Sequence, residues 1–148
     1  MNVIIDSREQ NPFRWMDYEN LTTVRDKLDF ADYSLASYDR PGDDDSVVIE
    51  RKQHCQELLS NIGQNWERFQ RELVGMSKYK HKFIIVCGPS NFDYLYNKGF
   101  TKISPNYAYK QLAYIYTEYG IPTLCFSKVE DAENFVYRLF VELIRKHG

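Results

Sequence analysis

The sequence predicts an α/β domain, a mixed β-sheet flanked by helices on both faces. Three observations lead there. Short apolar, largely β-branched runs recur: "NVIID" (residues 2–6), "SVVIERK" (46–52), "KFIIVCG" (82–88) and "IPTLCF" (121–126). The segments between and after the later runs carry apolar residues at helical rather than alternating steps. Finally, strands come first and then alternate with helices, the order of a sheet covered on both sides. At 148 residues the chain fits one domain, 1–148, large enough to bury a core, and it shows no repeat, low-complexity tract or long linker.

Taken in order, "NVIID" reads as a short buried strand ending in Asp6, and "NLTTVRDKLDF" (20–30) as a short, weakly patterned helix. "DYSLASY" (32–38) alternates like a strand and pairs with "SVVIERK" through the Pro/Gly/Asp-rich hairpin tip "DRPGDDDS" (39–46). Then Leu59, Ile62, Trp66, Phe69, Leu73 and Met76 form one apolar stripe along residues 53–79, which Gly63 can divide into two helices. "SPNYAYKQLAYIYTEYG" (104–120) has Ser104 as N-cap, Pro105 at the first helical position and Gly120 after its end. The last helix, from 127, opens on a capping box of Ser127 and Glu130.

Composition excludes several classes. Cys55, Cys87 and Cys125 are odd in number and without CxxC spacing, so neither a disulfide framework nor a structural zinc site is expected. No apolar run reaches the roughly 18 residues of a membrane span. The opening "MNVIIDSRE" has no signal-peptide pattern, and a soluble, cytoplasmic protein is expected. The net charge of −2 means that any polyanion must be met by a local basic patch or by metal ions. Arg68, Arg71, Lys78, Lys80 and Lys82 are candidates for such a patch. The tyrosines between 107 and 119 read as helix packing with hydroxyls toward solvent, with stacking on unpaired bases as the alternative.

The chemistry lies in "VVIERKQ". A core strand runs straight into Glu50, Arg51 and Lys52, and strand alternation places Glu50 and Lys52 on one face and Arg51 on the other. Asp6 ends the first strand and Asp32 begins the strand that pairs with Glu50's, so the three carboxylates are expected close together. Such a cluster repels itself unless a cation sits within it. Mg²⁺ or Mn²⁺ suits these hard oxygen ligands and completes its shell with water and phosphate. With Lys52 stabilising developing negative charge, the parts add up to phosphodiester hydrolysis.

The ordered set "DSRE" (6–9), "ADYS" (31–34), "VVIERK" (47–52) and "RFQREL" (68–73) resembles the ERCC4-type nuclease domain, the XPF/Mus81/Hef branch of the PD-(D/E)XK superfamily. The resemblance implies a restriction-endonuclease-like fold and a divalent-metal-dependent endodeoxyribonuclease, selective for branched DNA such as flaps, forks or junctions, in repair, recombination or replication. It implies Asp32, Glu50 and the backbone carbonyl of Arg51 as metal ligands, Lys52 as catalytic lysine, Asp6 as supporting acid, and Arg8, Arg51 and Arg68 as phosphate-contacting or organising residues. It also implies a homodimer through the C-terminal helices, with Phe135, Tyr137 or Phe140 facing the partner. Family members often carry a helix-hairpin-helix module after the nuclease; none is read in these 148 residues. Two positions depart from the pattern: Ala31 replaces the usual glycine, unstrained if its φ is negative, and Gln56 stands where an acid is usual, with Glu57 beside it. A non-catalytic DNA-binding or scaffold subunit and a duplex-cutting restriction- or repair-type enzyme are the alternatives.

Overall fold

The structure, a computed structural model, describes residues 1–15 and 18–148. Six strands form one sheet in the order β2-β1-β3-β4-β5-β6. They are β1 (Asn2–Asp6), β2 (Thr22–Asp26), β3 (Tyr33–Leu35), β4 (Val47–Lys52), β5 (His81–Cys87) and β6 (Thr123–Phe126). Five helices accompany them: α1 (Cys55–Ile62), α2 (Trp66–Met76), α3 (Phe92–Asn97), α4 (Pro105–Tyr119) and α5 (Val129–His147). β3 runs antiparallel to both β1 and β4, whereas β1–β2, β4–β5 and β5–β6 are parallel, so the sheet is mixed as expected.

Alternation sorts the strand residues onto two faces. Val48, Ile84 and Val86 meet the helix pair α1–α2 and Ile115 of α4 on one side. Val47, Ile49 and Ile85 meet Val136, Phe140 and Leu143 of α5 on the other. Central strand β4 is buried along its whole length, charged residues included.

The stripe of residues 59–76 does divide at Gly63. A Cβ there would stand 2.5 Å from Cδ1 of Ile103, so a larger residue would displace the Ile103 side chain from the bend between α1 and α2. Met76 is fully buried and Trp66 partly so.

Three expectations are corrected. Residues 22–26 are not helical but form edge strand β2, paired in register with β1 from Asn2↔Thr22 to Asp6↔Asp26. The Thr-Thr-Val run favours extended backbone, and the free edge of β1 offers a partner. The capping box is absent: Lys128 is the N-cap of α5 and no side chain caps it, so Ser127 lies one residue too early. Phe140 is fully buried, and Phe135 packs against Phe83 and Phe126 with ring centroids 5.7 and 5.5 Å apart, so both belong to the core rather than a free face. Helix α3, just six residues with two of them buried, is too short to reveal itself by periodicity.

No helix among the described residues is long and apolar enough to cross a membrane. The three cysteines are free thiols.

Candidate metal and phosphodiester site

The site forms where β1, β3 and β4 end together. Backbone hydrogen bonds fix Asp32 between them: its N–H donates to Ile49 O (2.9 Å), and its own carbonyl accepts from Asp6 N (2.8 Å). Tyr33 faces Ile49 across the β3–β4 ladder, which brings Asp32 opposite Glu50. The Arg51 N–H then donates to Asp32 Oδ2 at 2.7 Å. Sheet geometry, not loop packing, aims this carboxylate.

Glu50 and Lys52 share a face, and Lys52 Nζ lies 2.9 Å from Glu50 Oε2 with both side chains largely buried. The Lys52 ammonium also sits over the Phe69 ring of α2, 4.6 Å from its centroid. Arg51 takes the opposite face. There its guanidinium lies 4.2 Å from the Phe13 ring centroid and donates to Asn11 O at 2.6 Å, while its Nε is buried without a hydrogen-bond partner.

Burial and the adjacent Glu50 carboxylate push the Asp32 carboxyl up to about 9 from its ordinary 3.8; the Arg51 N–H works against them. If both ionised, the Asp32 and Glu50 carboxylates would outnumber the one lysine, Lys52, which is already paired to Glu50. That surplus is the electrostatic signature of a site made for a further cation or proton.

Asp6 does not join the pair. Burial raises its proton affinity, but hydrogen bonds from the Arg8 side chain and the Leu28 N–H outweigh burial and hold the carboxyl below its usual value. Arg8 Nε donates to Asp6 Oδ2 at 2.9 Å, and its terminal nitrogen reaches Leu28 O at 2.8 Å. Asp6 therefore ties the end of β1 to the segment after β2. Arg68 is exposed on α2, one turn before Glu72, and outside the cleft lining. Among the basic candidates, Lys82 is committed to structure, donating to the Ser77 and Tyr79 carbonyls behind α2.

A cleft of about 420 Å³ opens over the pair, lined by Arg8, Glu9, Asn11, Asp32, Glu50, Arg51, Lys52 and Glu57 among others. Glu57, not Gln56, is the acid of α1 that faces it; Gln56 turns toward Phe100 O. His54 caps α1, its Nδ1 accepting from Glu57 N at 3.2 Å, so it positions the helix that carries Glu57. Glu72 was not singled out by sequence reasoning, although it lies within "RFQREL". It is half-buried and accepts from the Ala31 N–H at 2.6 Å. Burial raises its carboxyl, the Ala31 N–H opposes this, and the Glu50 charge adds to it. Ala31 itself has φ +69°, not the negative value that would leave it unstrained.

Among the described residues, no three His, Cys, Asp or Glu side chains are arranged to hold a metal ion together. The donor set fits a hard divalent cation all the same, because such an ion needs just one or two carboxylates and takes its remaining ligands from water and phosphate. Asp32 and Glu50 provide those two.

Comparison with known proteins places this geometry in context. The ERCC4 domain profile matches residues 5–139, nearly the whole chain and every residue of the site. XPF from Aeropyrum pernix, in a complex with DNA, is similar in structure: TM-score 0.65, 19% identity, 95% of this chain and 65% of that chain covered. A second structure of XPF from Aeropyrum pernix matches with TM-score 0.57 and 18% identity, covering 84% of this chain and 53% of that one. The chain thus spans about two thirds or less of the length of these XPF chains. No curated protein sequence matches it. With its fold shared with XPF and its motifs matched from the end of β1 to α5, the chain belongs to the ERCC4 domain family, the nuclease family that "DSRE", "ADYS" and "VVIERK" resemble.

Proposed function

We propose that the protein is a divalent-metal-dependent DNA endonuclease acting on branched DNA, flaps, forks or junctions, in repair or recombination. The observation that carries this reading is the pairing of half-buried Asp32 with buried Glu50, Lys52 beside it, at the floor of an open cleft. Asp32 and Glu50 would hold Mg²⁺ or Mn²⁺, with the Arg51 carbonyl as a further oxygen donor. When bound, the metal acidifies water and neutralises charge on the phosphate. Lys52, fixed by Phe69 and Glu50, places a compact positive charge against the negative charge that develops on the phosphate oxygens. Arg8, anchored by Asp6 yet more than half exposed, can meet a phosphate at the rim of the cleft. Asp6 acts as a positioning residue through Arg8, and Arg51 braces the N-terminal loop through Asn11. Glu57 takes the place of the acid that Gln56 lacks. Binding of DNA is supported by the DNA in the Aeropyrum pernix XPF complex.

Arg68, exposed on α2, extends the positive rim. A homodimer remains part of the proposal, through the C-terminal helices by surfaces other than the buried Phe140.

The test is cleavage of labelled flap, fork, four-way-junction and linear duplex DNA in Mg²⁺, Mn²⁺ or EDTA. We expect metal-dependent cutting of branched substrates, with Lys52→Ala and Asp32→Asn each slowing it by at least about a hundredfold, the scale of a lost catalytic proton or charge contact. DNA bound but left uncut under every metal condition would replace the nuclease reading with that of a binding subunit. Equal cutting of linear duplex would refute the branch selectivity alone.

A further inference from the structure

Beside the carboxylate cleft, and separate from it, lies a second cleft of about 560 Å³ between α1 and the loop from α3 to α4. Gln56, Gln64, Ser60, Phe100 and Lys102 contribute to its wall. Its chemistry differs from that of its neighbour, for it is lined by one cation and no carboxylate.

Several features make it a built cavity. Ile103 is wedged against Gly63 where α1 bends into α2, which presses the preceding residues 99–102 up to α1. The loop is pinned by Phe100 N to Leu95 O (2.9 Å) and Gly99 N to Tyr96 O (3.1 Å), with Gly99 at φ +76°. The Phe100 ring is nevertheless 59% exposed and Tyr94, 6.3 Å away between ring centroids, is 54% exposed. With Tyr96 also exposed, Phe100 and Tyr94 form an aromatic group on a pinned backbone with its rings in water, the kind of apolar patch that serves contacts.

The position is specific. Gln56 lines this cleft and Glu57, the next residue of α1, lines the carboxylate cleft. Consecutive helical residues point about 100° apart, so the two clefts open on adjoining faces of α1. The Gln56 amide lies 3.5 Å from the Phe100 carbonyl, so a strand leaving the carboxylate cleft past Glu57 passes next to Phe100.

We propose that this second cleft receives an unpaired nucleotide of the single-stranded arm that adjoins the scissile phosphate. Its volume suits one nucleotide. Phe100 offers the flat face on which any base stacks, Gln56 and Gln64 offer amide donors and acceptors, and Lys102 meets the phosphate. Lys98, 6.0 Å from the Tyr94 ring, continues the positive edge. A paired base has both faces covered by its own stack, so the subsite discriminates for frayed or branched DNA. The inference rests on the nuclease reading and deepens it.

The experiment uses the full chain, with cleavage blocked by Asp32→Asn, and a forked DNA carrying 2-aminopurine at the first unpaired position. Stacking on Phe100 should quench its emission on binding, and adding Phe100→Ala should abolish the quench. The same change should weaken fork binding by about tenfold, the scale of one lost base–aromatic stack, and leave linear-duplex affinity and the melting temperature unchanged. Lys102→Ala should weaken fork binding without abolishing the quench. A quench that survives Phe100→Ala, or an equal loss on linear duplex, overturns the subsite. So does a change of oligomeric state of Phe100→Ala in sedimentation, which assigns the ring to a second copy of the chain. The two readings fail separately: if the unsubstituted protein cuts forks and Phe100→Ala cuts and binds them equally well, only the subsite falls. If the protein neither cuts nor binds DNA, the nuclease reading falls with it.

Discussion

Asp32 carries the most consequential electrostatics in the molecule. Without metal its carboxyl keeps a proton to about pH 9 in the fold, whereas the unfolded chain releases that proton near 3.8. Its contribution to stability is therefore fully present below 3.8 and drains away as pH rises toward about 9. Asp6 has the opposite sign: its lowered value contributes stability above 3.8 and loses it as pH falls. In EDTA, melting temperatures between pH 5 and 9 should fall with rising pH, and Asp32→Asn should flatten the slope. Divalent metal should restore more stability at pH 8 than at pH 5, because at low pH it competes with the proton. Ala31 illustrates a finer balance. Its left-handed φ costs about 1–2 kcal/mol, while its buried methyl returns about 0.8 kcal/mol and glycine would lose about 0.4–1 kcal/mol through the unfolded chain. Ala31→Gly should thus change stability by less than about 1 kcal/mol in denaturant titration. The sequence made Asp32, Glu50 and Lys52 legible, because strand alternation and three successive charges leave few arrangements. It could not show that Asp6 turns to Arg8 and Leu28, since that depends on where residues 26–28 pass.

Among the elements, α2 does the most to hold the site from below. It supplies Phe69 under Lys52 and Glu72 under Ala31, and Gly75 lets it approach the Phe30 ring. A Cβ at Gly75 would stand 2.2 Å from that ring. Gly75→Ala gains about 1 kcal/mol of helix propensity and loses about 1–3 kcal/mol to overpacking, so a net loss is expected, and a larger one for Gly75→Val. Because Phe30 leads directly into Ala31 and Asp32, the same variants should weaken Mn²⁺ binding, which calorimetry can read beside the melting temperature. Element legibility followed length and pattern. The divided helix pair, α4 with its Ser104 cap and the buried strands all stand where periodicity put them. Strand β2 escaped because all five of its residues are exposed, leaving no alternation to detect. The N-terminus of α5 shifted because Lys128, in extended backbone, takes the capping position that the sequence assigned to Ser127.

At the scale of the whole molecule, the mixed sheet supplies what the proposed action of an acidic chain on a polyanion requires. It gathers the ends of β1, β3 and β4 at one point, sets two carboxylates side by side there, and leaves Lys52 and Arg8 as positive elements around them. The net charge of −2 is then no obstacle, because a divalent cation that displaces the Asp32 proton binds the paired carboxylates directly. Global charge could be read from composition, but its convergence required the register between β3 and β4. The claim beneath the whole account is that this paired-carboxylate cleft holds a divalent cation. The most direct measurement is a Mn²⁺ titration at pH 8 followed by the electron paramagnetic resonance signal of free Mn²⁺, on the unsubstituted protein and on Asp32→Asn. The account expects saturable uptake of Mn²⁺ by the unsubstituted protein and its loss in Asp32→Asn with the fold intact. Identical uptake by both proteins, or none by either, would contradict it.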